Sequence, residues 1–184
     1  MSKRLVVGIT GASGVIYGIR LLEVLRANDE VETHLVISPA AKATIAQETD
    51  WKVSAVEALA DAVYDIASGS FATVGMVIIP CSIKTLSAVA HSYSADLISR
   101  AADVTLKEGR PLVLVVREAP LHLGHLRLML RAAAAGAPCT GRTCRCGTTW
   151  PNGRRSRRGA SARPPCRAPR PASTAWWCSH RRPR

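Results

Sequence analysis

Apolar residues run in short unbroken blocks along the first three quarters of the chain, and polar or helix-forming stretches separate them. Leu5–Thr10 is a continuous β-rich run, and Val15–Ala27 follows with apolar side chains at helical spacing, so the pair reads as strand then helix. Val31–Ser38 ("VETHLVIS") reads as a second strand. The stretch after it, "PAAKATIAQET", places Pro39 at a helix start with small helix formers behind it. Residues 53–62 read as a short helix, and "SGSF" at 68–71 as a turn. Met76–Pro80 ("MVIIP") is a third strand, and the helix after it begins with Ser82 in a capping position. Asp96–Lys107 is amphipathic with Asp96 as its cap, 111–116 ("PLVLVV") is a fourth strand, and 119–136 reads as a long helix ending at Gly136.

Strands alternating with helices predict an α/β fold, a three-layer sandwich around a mainly parallel sheet with right-handed crossovers. In such sheets ligands gather at the carboxyl edge of the strands. Four polar clusters each follow a strand directly: "TGASG" at 10–14, Ser38-Pro39, "CSIKT" at 81–85 and Arg117-Glu118. Parallel strands put all four on one edge. Helix N-termini there offer unpaired N–H groups and the positive end of the helix dipole. Gly11 and Gly14 allow close backbone approach, Ser13, Ser38, Ser82 and Thr85 add hydroxyls, and Arg117 adds a bidentate cation. That combination predicts a site for a phosphate monoester. No acidic residue ends the second strand to take a ribose hydroxyl, so a nicotinamide site is disfavoured.

Composition divides the chain. The net charge of +12 arises wholly from residues 138–184, which hold 12 of the 25 basic residues and none of the 13 acidic ones, so residues 1–137 are neutral. The same 47 residues carry 7 of 11 prolines, 5 of 6 cysteines and 3 of 4 tryptophans, with no Leu, Ile, Val or Met, and cannot bury an aliphatic core. Two domains of different character are expected: a folded body over 1–137, and a disordered Arg/Pro/Cys-rich tail over 138–184. No signal peptide and no membrane span are read, and the single Cys81 of the body fits a reducing, cytoplasmic setting.

"GITGASGVIYG", "ETHLVIS", "MVIIPCSIKTLS" and "SRAADVTLKEGRPLVLVVREAPLHLGHLRLM" together resemble the flavin prenyltransferase family of UbiX type, formerly described as aromatic acid decarboxylases. The resemblance covers residues 3–136. It implies a Rossmann-like or flavodoxin-like fold that binds FMN and needs no metal. It implies a homo-oligomer that joins a dimethylallyl group from dimethylallyl phosphate to reduced FMN at N5 and C6. The product would serve a UbiD-type decarboxylase in ubiquinone or aromatic-acid metabolism. Carried over residue by residue, Gly11, Ala12, Ser13, Ser38, Ser82, Ile83, Lys84, Thr85 and Arg117 would meet FMN. Ser13 and Glu48 would handle protons, with Glu118 as a third catalytic group, and Lys107, Arg117 and Glu118 would surround the prenyl phosphate. A leaving phosphate needs cations, and a carboxylate can take the proton lost from a substituted ring.

Without the resemblance, Glu48 reads as a surface carboxylate, His122 and His125 as packing or surface groups, and Cys81 as a small buried group. After residue 137 the family continues with a fifth strand, a "PP-x-P-x-FY" loop and a last helix. That Tyr and a basic residue of that helix contact the prenyl phosphate, and neither is present here. Arg, Pro, Cys, Trp, Gly and Ala without aliphatics is what GC-rich DNA encodes out of frame, which points to a frameshift near codon 137. An Arg-rich arm for nucleic acid is the native alternative; against it, the basic residues are irregularly spaced and lysine is absent. Two further rivals are a phosphopantothenoylcysteine-type decarboxylase, which would carry a His where this chain has Tyr17, and an FMN-binding module whose donor site is lost.

Overall fold

The computed structural model describes residues 3–63 and 72–140. The turn expected at 68–71 and nearly all of the expected disordered tail lie outside the described residues. Six strands form one sheet in the order β3-β2-β1-β4-β5-β6, and every neighbouring pair is parallel. The strands are β1 (Lys3–Ile9), β2 (Val31–Ile37), β3 (Ala62–Val63), β4 (Gly75–Cys81), β5 (Leu112–Val116) and β6 (Cys139–Thr140). The helices are α1 (Val15–Arg26), α2 (Pro39–Glu48), α3 (Val53–Glu57), α4 (Ile83–Ala90), α5 (Leu97–Lys107) and α6 (Leu123–Ala134).

The central strands form where the apolar blocks predict them, since a parallel sheet covered on both faces needs side chains buried on both sides. One core packs Val7, Ile9 and Leu35 of the sheet against Val15, Ile19 and Leu22 of α1, Ala41 and Ile45 of α2, and Val56 of α3. The other packs Val6, Met76, Ile78, Leu112 and Leu114 against Leu86 and Val89 of α4, Ile98 and Ala102 of α5, and Ala132 of α6. Helices therefore cover both faces, and strand order reverses direction between β1 and β4, the switch point where ligands of doubly wound sheets bind. α1 sits close on this sheet: a Cβ at Gly18 would lie 2.5 Å from the Ile79 carbonyl oxygen.

Three expectations need correction. Residues 53–62 are helical only to Glu57, and Ala62–Val63 instead pair with His34 and Leu35 of β2. Asp61 fixes this edge: its Oδ2 accepts from the Thr33 N–H (2.6 Å) and hydroxyl (2.8 Å), and its own N–H donates to Thr33 Oγ1 (3.1 Å). The long helix starts at Leu123 rather than 119, because the His122 ring caps it by accepting from the Gly124 N–H. A strand also forms beyond 137, where Cys139 and Thr140 pair with Leu114 and Val115. Capping by Ser82 and Asp96 is as expected, Asp96 forming a reciprocal capping box with Ser99. Among the described residues no helix is long and apolar enough to cross a membrane.

Gly18→Ala should lower stability by about 1–3 kcal/mol, because the new methyl forces α1 away from the Ile79 carbonyl. A urea melt followed by far-UV circular dichroism reads it, and an unchanged midpoint would show that the helix can shift at no cost.

Candidate functional site

Helices that begin at the carboxyl edge include α1 with Gly14 as its N-cap, α2 with Ser38 and α4 with Ser82. Gly14 adopts the left-handed conformation (φ 90°), which a residue with a Cβ rarely holds, and turns the chain from β1 into α1. Gly11 faces Ala40 so closely that a Cβ there would lie 2.5 Å from the Ala40 Cβ. The first loop is thus packed against the start of α2, and the helix dipoles that converge on this edge favour an anion.

The loops are bonded to one another. The Ser38 N–H donates to the Ile9 carbonyl (3.0 Å), and the Arg117 N–H to the Cys81 carbonyl (3.1 Å). Between them stands Thr10, almost wholly buried. Its hydroxyl donates to the Pro80 carbonyl (2.7 Å) and accepts from the Ser82 N–H (2.8 Å), which ties the first loop to the third. Thr10 was legible only as one letter of "TGASG". The signal available was its type and place: a polar residue ending an apolar strand is buried, and a buried hydroxyl needs partners.

Glu48, the last residue of α2, reaches back to the first loop. Its Oε2 accepts from the Gly14 N–H at 2.8 Å. That bond first, then the Ser13 hydroxyl, a Val15 N–H and the charge of Arg117, hold its carboxyl below the usual carboxylate range. The structure therefore brings together Ser13, Gly14, Glu48 and Arg117, drawn from two loops and the end of α2. Gly11, Ala12, Ser38 and Ser82 lie on the same edge, and the hydroxyls of Ser38 and Ser82 accept from the N–H groups of Ala41 and Thr85. Ile83 begins α4 and packs against the core, Lys84 is exposed, and Thr85 is buried with its hydroxyl 3.2 Å from Ser82 Oγ.

Two predicted residues stand apart. Glu118 is exposed and accepts from its neighbour's Ala119 N–H (3.1 Å), beside Arg117 but turned to its own backbone. Lys107 ends α5 at the opposite, amino edge, where the chain enters β5. At about 3.3 Å per residue, the five residues of β5 put roughly 16 Å of sheet between that edge and Arg117. Within one chain, then, Lys107 does not join the cluster. His122 and His125 stack with ring centroids 3.6 Å apart, and among the described residues no group of three or more His, Cys, Asp and Glu is placed to hold a metal. Burial pushes the Cys81 thiol well above its ordinary value, away from nucleophilic use.

Thr10→Val, which keeps the shape and removes both hydroxyl bonds, should cost about 1–3 kcal/mol by leaving the Ser82 N–H without its partner and the Pro80 carbonyl with only the longer bond from the Thr10 N–H. Thr10→Ser should recover most of the loss in a urea melt; equal stability of all three proteins would remove the hydroxyl from this role.

Comparison with known proteins agrees with this geometry. Residues 1–129 match the Flavoprotein family. The chain is 63% identical over 142 residues to the flavin prenyltransferase UbiX of Escherichia coli K12, covering 73% of this chain and 75% of that protein. Among solved structures it resembles AnUbiX in complex with FMN and dimethylallyl pyrophosphate (52% identity, TM-score 0.73, 76% of this chain and 77% of that one). It also resembles a dodecameric FMN-dependent Ubix-like decarboxylase from Escherichia coli O157:H7 (49% identity, TM-score 0.72, 74% and 77%). With the flavoprotein pattern, this level of identity and a carboxyl edge built around Ser13, Glu48 and Arg117, the chain belongs to the UbiX-type flavin prenyltransferase family.

Proposed function

We propose that this chain joins a dimethylallyl group from dimethylallyl phosphate to reduced FMN and releases a prenylated flavin for a UbiD-type decarboxylase. The observation that carries the reading is the carboxylate of Glu48, hydrogen-bonded to the Gly14 N–H and kept ionised by that bond, by the neighbouring Ser13 hydroxyl and by the charge of Arg117, at an edge where helices present their N-termini. Reduced FMN, when bound, supplies the nucleophilic ring positions for the prenyl group. Gly11, Ala12, Ser13, Ser38, Ser82, Ile83, Lys84, Thr85 and Arg117 are the residues proposed to hold it. The Gly11 backbone and the helix ends suit its phosphate, which supports the assignment.

The proton chemistry falls to Ser13 and Glu48. Ser13 stands next to Glu48 and favours its ionised form, and the proposed role is that a proton arriving at Ser13 Oγ is passed on as the hydroxyl proton moves to the carboxylate. Arg117 supplies positive charge where the prenyl phosphate departs, and Glu118 beside it is proposed as the third catalytic group. Lys107 belongs to the donor phosphate only where a second copy brings its amino edge to this carboxyl edge, so the proposal includes a homo-oligomer. A cytoplasmic setting is part of the same reading.

Anaerobic incubation with reduced FMN and dimethylallyl phosphate, or the pyrophosphate in a parallel arm, should release a flavin heavier by one prenyl unit in a mass spectrum. Unchanged FMN recovered on folded protein would favour the second reading, a flavin binder without its donor site, to which the absent "FY" loop lends weight. Glu48→Gln should slow prenyl transfer by roughly 100- to 10,000-fold with FMN retention little changed.

The pH profile has a definite sign. Glu48 is held below its ordinary 4.5, so it stays ionised from neutral pH down past that value, and the activity it confers is lost only as pH falls through its lowered pKa. A loss of kcat near neutral pH that disappears in Glu48→Gln would overturn this assignment.

A further inference from the structure

Among the described residues, Arg117 and Glu118 stand in the longest connection from a strand to a helix at the carboxyl edge. Ser38 alone joins β2 to α2 and Ser82 alone joins β4 to α4, whereas residues 10–14 join β1 to α1 and residues 117–122 join β5 to α6. Residues 117–120 are all exposed and Leu121 is half-buried, so packing against the core does little to fix this segment. Its ends must do so. At the near end the Arg117 N–H donates to the Cys81 carbonyl (3.1 Å). At the far end His122 caps α6, its Nδ1 accepting from the Gly124 N–H at 3.0 Å.

The far end is a built arrangement. α2, α4 and α5 are capped by the short side chains of Ser38, Ser82 and Asp96, the ordinary choice for the position. On α6 a bulkier imidazole does the same work, lying over a residue without a side chain. A Cβ at Gly124 would fall 2.7 Å from His122 Cε1 and 2.9 Å from its Nδ1. The His125 ring stacks on it as well, with centroids 3.6 Å apart. His122 is thus solvent-exposed yet touched by both neighbours on the helix.

We propose that His122 is a positioning residue for the donor phosphate: by capping α6 it pins the far end of the 117–122 segment and so holds Glu118 beside Arg117. The inference rests on the transferase reading above, which places both residues at that phosphate. Without the cap the first turn of α6 frays and the segment lengthens. Glu118, bonded only to the N–H of its own neighbour Ala119, then samples more positions, and donor binding has to order it. Arg117 keeps its separate anchor on Cys81, so FMN retention stays as it was.

Four full-length proteins test this: the unaltered chain, His122→Ala, His122→Asn and Gly124→Ala. Each is followed by prenyl transfer to reduced FMN at varied dimethylallyl phosphate, by amide hydrogen exchange of residues 117–123 and by a urea melt. His122→Ala should lower kcat/KM for the donor by roughly 3- to 30-fold, the span of one lost cap, and speed exchange in the segment. His122→Asn, whose short amide can accept from the same N–H, should restore both. Gly124→Ala separates positioning from plain stability. Alanine favours a helix over glycine, so a merely structural cap predicts an unchanged or higher melting midpoint and unchanged transfer. Here the new methyl displaces the ring, and kcat/KM should fall as in His122→Ala. An unaltered chain that makes no prenylated flavin would overturn the transferase reading and this role with it. Normal transfer by His122→Ala, or no rescue by His122→Asn, would overturn this role alone. Slow exchange in His122→Ala with reduced transfer would show His122 acting on the phosphate directly, and would overturn the positioning route.

Discussion

The carboxyl edge depends on one hydroxyl. Thr10 follows β1 directly, at the point where the strand order reverses, and through its donor and acceptor bonds it fixes the Pro80–Ser82 segment against the first loop. Without it, the N-termini of α1 and α4 would be joined at this edge only by the weaker Thr10 N–H contact to the Pro80 carbonyl at 3.3 Å. Each such bond contributes only about 1 kcal/mol net, but a buried partner left unpaired costs more, so the network is held as a unit. Ser38 to Ile9 on one side and Arg117 to Cys81 on the other extend it across four strands. An anion cradle made of helix ends needs this rigidity, because the attraction of an N-terminus fades within its first turn.

Close packing serves the same end. Positions without a side chain lie where the helices come nearest to the sheet and to one another: Gly18 under the Ile79 carbonyl and Gly11 against Ala40. The first lets α1 lie low on the sheet, and the second lets the α1 and α2 starts converge. Only because α2 begins there does its far end arrive within reach of Gly14, where Glu48 meets the N–H of the turn. A core-packing constraint and a chemical one are thus met by the same few residues.

Much of this was legible in the sequence, and the omissions have physical causes. Continuous apolar runs such as "MVIIP" and "LVLVV" announce buried parallel strands, and polar clusters after each strand announce the edge. β3 escaped notice because two residues have no periodicity; what makes Ala62–Val63 a strand is Asp61 bonded to Thr33, 28 positions away. The segment 119–122 looked helical by composition, yet Pro120 and the capping ring of His122 delay the helix to Leu123. Lys107 is the instructive case. The family resemblance places it with Arg117 around one phosphate, but within one chain a residue that ends the helix before a strand and one that follows that strand stand at opposite edges of the sheet.

Glu48 shows how a site can rest on an exposed group. Exposure alone argues for a plain surface carboxylate, and in high dielectric its charge interactions with distant groups are weak. What distinguishes it is direction. The Gly14 N–H donates to it from a turn of left-handed φ at the positive end of α1, and the Ser13 hydroxyl of the same turn favours its ionised form. Hydrogen bonds to the ionised form favour that form even where burial does not. The carboxylate is therefore both anchored and reachable, which is the condition a proton acceptor must meet: a fully buried one could not exchange its proton, and an unanchored one would not be found in place.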